Sequence, residues 1–335
     1  MKKNRSIIYS TLQVTIITVL IKMLGLVKQS VLASICGATN ETDIFFIVTG
    51  VLVSLSSIIF SAISISLLTF YTNRLAKEGR QSANRLINAT LRSFLPIAIL
   101  ISIFFCWFSK DIGHVLAPSY NDKELVIMGK YIKLMSVSFV FWCYYLIINV
   151  ILENDKCFLP GRLQGLFQNL FIIIGATFFY RKYGIVALIY AFVLSGLCQC
   201  IVVTWCARND FKFIFTKLNE IVSIKKMIKL SLPLIIGNAI YEINDIVDKQ
   251  ISSGLGPGNA SFLTYGSTIN DIVAGVIVAS VSVVLFSHFA TWVAENKNEE
   301  VEKSLKNVLC LLTIIIYPGM VMCIVSGDQI VDILY

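Results

Sequence analysis

The chain has 335 residues, of which 56% are hydrophobic and only 14% charged, with a formal net charge of +8. A soluble domain carries about 25% charged residues, so this composition excludes one and implies an all-α polytopic membrane protein. The positive balance is no nucleic-acid footprint, because the basic residues gather in the loops on one side of the spans, where they set topology and meet anionic lipid.

A span needs roughly 20 apolar residues. Nine stretches qualify: 8–36, 43–72, 91–109, 126–152, 158–180, 184–206, 230–254, 260–290 and 304–326. The start, with Lys2, Lys3 and Arg5, reads as a cytoplasmic tail running into the first span. No A-x-A-like site closes a short apolar core there, as a cleaved signal would require. With the N-terminus inside, segments 1–7, 73–90, 153–163, 207–229 and 291–306 hold eighteen Lys and Arg residues against six on the opposite side. The positive-inside rule supports that orientation.

The first span carries Lys22 and Lys28, separated by about 120° around the helix. If residue 8 opens the span, Lys22 lies about 21 Å in and Lys28 about 30 Å in. A lysine at that depth costs about 3 kcal/mol on insertion scales. Both ammonium groups therefore either face a cavity and bind diphosphate or snorkel to the headgroups, which is harder for Lys22. Gly25 between them would permit a bend or local opening. A polar turn then leads to Asp43 and the second span. There Gly50, Ser54, Ser57, Ser61 and Ser64 line one helical face, suited to close helix packing or to a smooth wall for a lipid-linked substrate.

Nine cysteines sit mostly in apolar runs without a C-x-x-C pair, and read as small hydrophobes. Neither His114, expected in a loop, nor His288, at a span end, has partners at metal-ligand spacing. No P-loop, G-x-S-x-G or H-E-x-x-H occurs, which leaves enzyme chemistry without support. Residues 207–229 read as an interfacial amphipathic helix, with Phe211, Phe215, Leu218 and Val222 recurring among lysines. They separate a six-span lobe, 1–206, from a partial three-span lobe, 230–335.

In the seventh span Asn238, Glu242, Asp245 and Lys249 recur at helical spacing, with Asp248 beside them. Such a polar stripe faces protein or water. It is either an ion-pair ladder locking helices, with Asp245 four residues before Lys249, or a Na⁺ or proton site. Ser267, Asn270 and Asp271 read as the polar opening of the eighth span's helix. A weak internal repeat relates 27–46 to 247–266 at an offset of 220: Val27 meets Val247, Val31 meets Ile251 and Ile35 meets Leu255. The copies run in the same direction, a transporter signature.

The segment LGLVKQSVLASICGATNETDIFF resembles the opening of the MurJ/MviN lipid II flippases, within the multidrug/oligosaccharidyl-lipid/polysaccharide exporter superfamily. Gly37-Ala38, Thr42-Asp43 and Phe45-Phe46 match the family pattern, and Lys22 and Lys28 stand at its two arginine positions. Ile243 to Leu255 resembles the family's seventh-span stretch. The resemblance implies a two-lobed transporter in the bacterial cytoplasmic membrane, with a cationic cavity for an undecaprenyl-diphosphate-linked saccharide. It implies alternating access, coupled to a Na⁺ or H⁺ gradient or to membrane potential, with no bond broken and no cofactor. Lys22, Gly25, Lys28, Asp43 and Ser57 are then the candidates for binding substrate. Asn238, Glu242, Asp245 and Asp248 are the candidates for ion coupling. The sequence departs from the family where arginines are expected: it has Leu55-Ser56 in the second span and Thr268 in the eighth. Lysine offers a point charge and no planar fork, which loosens diphosphate recognition and keeps an O-antigen or capsule repeat unit open as substrate. The family continues for several spans beyond Tyr335, so half of the second lobe is expected to be missing, and a non-transporting envelope scaffold is the reading from another class.

Overall fold

A computed structural model of the chain describes residues 2–213, 221–273, 298–327 and 329. The described residues are almost wholly helical, without a strand. α1 is Lys2–Cys36 and α2 is Asn40–Ser56, followed by a π-helical turn, Ser57–Ser61. Then come α3 Ala62–Trp107, α4 Ser109–Leu116, α5 Asp122–Met135 and α6 Ser138–Asn154. α7 Leu159–Ile174 runs through a second π turn, Gly175–Phe179, into the short α8, Tyr180–Tyr183. α9 is Val186–Ala207, α10 Ile221–Ser253, α11 Asn259–Val273 and α12 Asn298–Val325. Seven described helical stretches are long and apolar enough to cross a membrane. One of them, Asn40–Trp107, is 68 residues long and holds the second and third expected spans together.

Local chemistry sets the joints. Gly37, at φ 66°, ends α1 by turning its N–H back to the carbonyls of Leu32 and Ala33, a left-handed cap that glycine adopts without a Cβ penalty. Thr39, in extended conformation, then caps α2 by accepting the Thr42 N–H. Within α3 the helix breaks at Gly79, φ 80° and ψ 176°. α5 opens with a capping box between Asn121 and Glu124, and Glu124 also accepts from Asn40 at 2.6 Å.

α3 packs on α6, α7 on α9 and α1 on α7, while α10 lies along α2, the first π turn and α3. Phe45, Leu67, Ile87, Phe139 and Ile148 are among the fully buried side chains of the first lobe. Most of α10 and α12 is exposed.

Several expectations change. The seventh span starts at Ile224, ahead of the stretch from 230 that hydropathy suggested, and its helix is already formed at Ile221. The expected amphipathic linker is therefore not a separate helix at that end. Residues 214–220 of it lie outside the described residues, as do 274–290 of the eighth span and His288. Residues 208–213 are a turn and a short irregular segment held on α3: Asn84 donates to the Asp210 carbonyl at 2.7 Å and Asn88 to that of Lys212 at 3.0 Å. Arg80 binds Asp155 and Asp210, both at 2.6 Å. Burial works against the Arg80 charge, but these two carboxylates outweigh it and hold the guanidinium above its ordinary value. His114 lies on α4 rather than in a loop. Ser267 sits within α11 and donates to the Thr264 carbonyl, so it does not cap the helix.

Candidate functional site: a cavity between two hairpins

α1 with α2, and α10 with α11, form two hairpins whose turns touch. A Cβ on Gly258 would stand 3.0 Å from the Ala38 carbonyl oxygen and 3.2 Å from its Cβ. Ala38 and Gly258 are the residues that the offset of 220 aligns. Between the hairpins, with α7 closing one side, lies a cavity of about 130 Å³. Lys28, Gln29, Thr49, Gln168, Lys249 and Thr264 supply its polar lining, and Leu32, Phe45, Phe46 and Ile172 its apolar lining.

The structure thus brings Lys28 together with Lys249, which the sequence had placed in a separate ladder. Lys249 reaches the cavity because Gly50 has no side chain. A Cβ there would fall 2.5 Å from the lysine Cε and 2.9 Å from its Cδ. Its ammonium also pairs with Asp245. The Lys249 side chain is 12% exposed and that of Asp245 45%, so the pair is half-wet at the carboxylate. Gln29 donates to Thr268 at 3.3 Å, at one of the family's arginine positions. Its Oε1 is buried and has no hydrogen-bond partner among the described residues, an acceptor that a ligand donor would satisfy.

Lys22 lies outside this lining. It is half-buried, about 9 Å along α1 from Lys28, and within Coulombic reach of it. Gly25 marks no opening, because α1 is continuous through it. α7 passes beside it at ordinary contact distance: a Cβ on Gly25 would lie 3.6 Å from Asn169 Nδ2, which donates to the Ile21 carbonyl at 3.1 Å.

Asp43 is placed differently from its sequence reading. Its carboxylate accepts the Gly258 N–H at 2.5 Å, the Ser261 N–H at 2.7 Å and the Ser261 hydroxyl at 2.5 Å. It is 1% exposed and caps α11 from another helix, a negative charge against the positive end of the helix dipole. Both its oxygens are engaged there, and it is not among the residues lining the cavity. Burial, then the charges of Asp43 and Glu124, push the pKa of the Tyr120 hydroxyl up.

The stripe of small residues and the polar stripe meet each other. Asn238 donates to Ser61 at 3.2 Å, Ser54 to Asp245 at 3.4 Å, and Lys249 crosses Gly50. At the intervening step of this antiparallel seam stand Ser57, whose carbonyl accepts from Ser61, and the half-buried Glu242. From Gly50 to Ser61 the small-residue face is therefore the seat of α10, whereas Ser64 donates to the Leu146 carbonyl of α6 at 3.1 Å; Ser57 is not among the residues lining the cavity. Asp248 stands apart, exposed, accepting from Asn244 at 3.3 Å. The four ion-coupling candidates do not converge, and the described residues hold no group of three His, Cys, Asp or Glu side chains placed for a metal.

Comparison with known proteins agrees with this architecture. The family described as lipid II flippase MurJ matches residues 32–335. A probable lipid II flippase MurJ of Buchnera aphidicola subsp. Baizongia pistaciae is 22% identical over 98% of this chain and 66% of its own length. One from Treponema pallidum is 22% identical over 100% and 65%. The chain thus spans about two thirds of the length of these relatives. Among solved structures, a lipid II flippase MurJ in an inward closed conformation superposes with a TM-score of 0.82 at 24% identity, over 96% of this chain and 66% of the other. An inward-facing multidrug transporter of the MATE family gives 0.75 at 13% identity, over 96% and 75%. These likenesses establish the fold of two-lobed helical transporters. With its family motif, its membrane-spanning helices and its paired hairpins, the chain belongs to the lipid II flippase MurJ family.

Proposed function

We propose that this protein moves lipid II, an undecaprenyl-diphosphate-linked peptidoglycan precursor, across the bacterial cytoplasmic membrane by alternating access, breaking no bond. The observation that carries the reading is the shared cavity: one lysine from each hairpin, Lys28 and Lys249, lines the same small space. A diphosphate placed there is held by two point charges from opposite lobes, so its binding draws the lobes together. Buried cations favour an anion strongly because little water competes. The orphaned Gln29 Oε1 accepts a sugar hydroxyl, and Lys22 receives the headgroup on its way along α1. The N-terminus faces the cytoplasm, so the touching turns at Ala38 and Gly258 close the outer side.

Coupling belongs to the same proposal. When diphosphate takes Lys249, Asp245 loses its partner and becomes a carboxylate open to Na⁺ or a proton. Membrane potential acts directly on the net charge of the loaded cavity. A second reading keeps the mechanism and changes the saccharide to an O-antigen or capsule repeat unit. Lysines at both arginine positions favour it, since they recognise charge without bidentate geometry.

The test is rescue of a flippase-depleted strain by the gene, together with lipid II translocation in proteoliposomes. Lys28→Ala and Lys249→Ala are each expected to lower translocation at least about tenfold, the scale of one charge-assisted contact. Wild-type activity by both variants would overturn the cavity assignment. Failure of the wild-type chain on lipid II, with movement of another lipid-linked saccharide, would select the second reading.

A further inference from the structure

We propose that the groove between α7 and α9 is a binding site for an anionic membrane phospholipid, with an acyl chain in the groove and the phosphate on Arg181 and Lys182. The groove holds about 410 Å³ and is walled by Phe171, Ile174, Phe179, Tyr183, Tyr190 and Leu194. That volume falls within the range of small-molecule sites. Its shape follows from two local features. At Gly175 the helices touch through small groups, since a Cβ there would lie 3.1 Å from the Ala191 Cβ and 3.3 Å from the Ala187 carbonyl oxygen. Over Gly175–Phe179 the backbone takes a π turn, which inserts one residue into the helical register and re-aims the side chains after it. Phe178 and Phe179 consequently stand 75% and 51% exposed. The floor is pinched by small residues and the walls are splayed aromatics.

The rim supplies the charge. Arg181 and Lys182 follow the π turn directly, on α8, and both are exposed. They lie where the spanning stretches Leu159–Tyr183 and Val186–Ala207 meet, which is the boundary between bilayer and water. Neither is paired with a carboxylate among the described residues. Lys182 Nζ stands 5.2 Å from the ring centroid of Tyr183, so one aromatic both walls the groove and seats a cation. Two cations at headgroup depth above an apolar slot complement an anionic lipid; a zwitterionic one adds its own cation at the rim. This site lies on the bilayer face of the first lobe, away from the central cavity, and does not depend on what the cavity carries.

The test is native mass spectrometry of the full chain from mixed micelles containing phosphatidylglycerol and phosphatidylcholine. The wild type is expected to retain phosphatidylglycerol about thirtyfold over phosphatidylcholine, as two interfacial basic residues provide. The Arg181→Gln/Lys182→Gln double variant loses that preference, whereas Arg181→Lys keeps it, which separates lost charge from lost fold. Ile174→Trp, filling the groove from an exposed position, lowers retention of both lipids. Equal retention of the two lipids by the wild type, a preference surviving in the double variant, or unchanged retention by Ile174→Trp would each overturn the proposal.

Discussion

The two hairpins share a direction, a turn and weak sequence similarity, yet they are built on opposite terms. In the first, α2 is buried almost throughout, and Asp43 faces out of its own hairpin to cap the other. In the second, the aligned position is Leu263, which has no acceptor to offer, and α10 meets α2 through polar side chains that reach across the seam. One hairpin supplies a rigid, small-faced seat, and the other supplies the side chains that cross it. The asymmetry teaches that a repeat can keep its backbone plan while dividing the work: structural anchoring sits on one copy, and an adjustable cation on the other.

The largest expected effect comes from removing the anchor. Asp43→Ala leaves two backbone N–H groups of α11 and the Ser261 hydroxyl without their buried acceptor. A loss of about 3 kcal/mol or more is expected, read as a lowered unfolding temperature in detergent, with Asp43→Asn intermediate. An unchanged temperature would break the comparison, because the first hairpin would no longer be the anchor.

Next comes Gly50→Val. The atoms it meets are the far end of a flexible lysine, so stability changes by less than about 1 kcal/mol. The ammonium, however, is driven from the cavity, and translocation falls as far as in Lys249→Ala. A stable variant with full activity would show that Lys249 need not enter. The smallest effects belong to the outer rungs of the seam. Ser54→Ala and Asn238→Ala each remove one hydrogen bond and cost about 0.6 kcal/mol, typical between membrane helices. Costs several times larger would mean that the seam, more than the Asp43 cap on α11, holds the second hairpin in place.

The all-helical membrane character, the polar turn before Asp43 and both faces of the seam were legible in the sequence, because composition, helical spacing and turn chemistry are local. Their meeting was not. The small-residue face fits equally a neighbouring helix or a lipid, and only the packing of α10 decides. The same holds for Lys249. Its spacing from Asp245 proclaims an ion pair, which exists, and conceals the cavity that its ammonium also reaches. Asp43 misled for a further reason: a carboxylate after a polar turn looks available, and its partners Gly258 and Ser261 lie over 200 residues away. The π turns left no trace in hydropathy, since one inserted residue barely alters an apolar run.

The bare backbone at Gly50 has a consequence for sequence change. Positions 50 and 249 compete for one volume, so they are not free to vary independently. A lysine at 249 reaches the cavity only with glycine at 50, while a bulky residue at 50 makes the residue at 249 irrelevant to transport. Selection for transport from a library randomised at both positions should return glycine at 50 together with a long cation at 249, and neither one without the other.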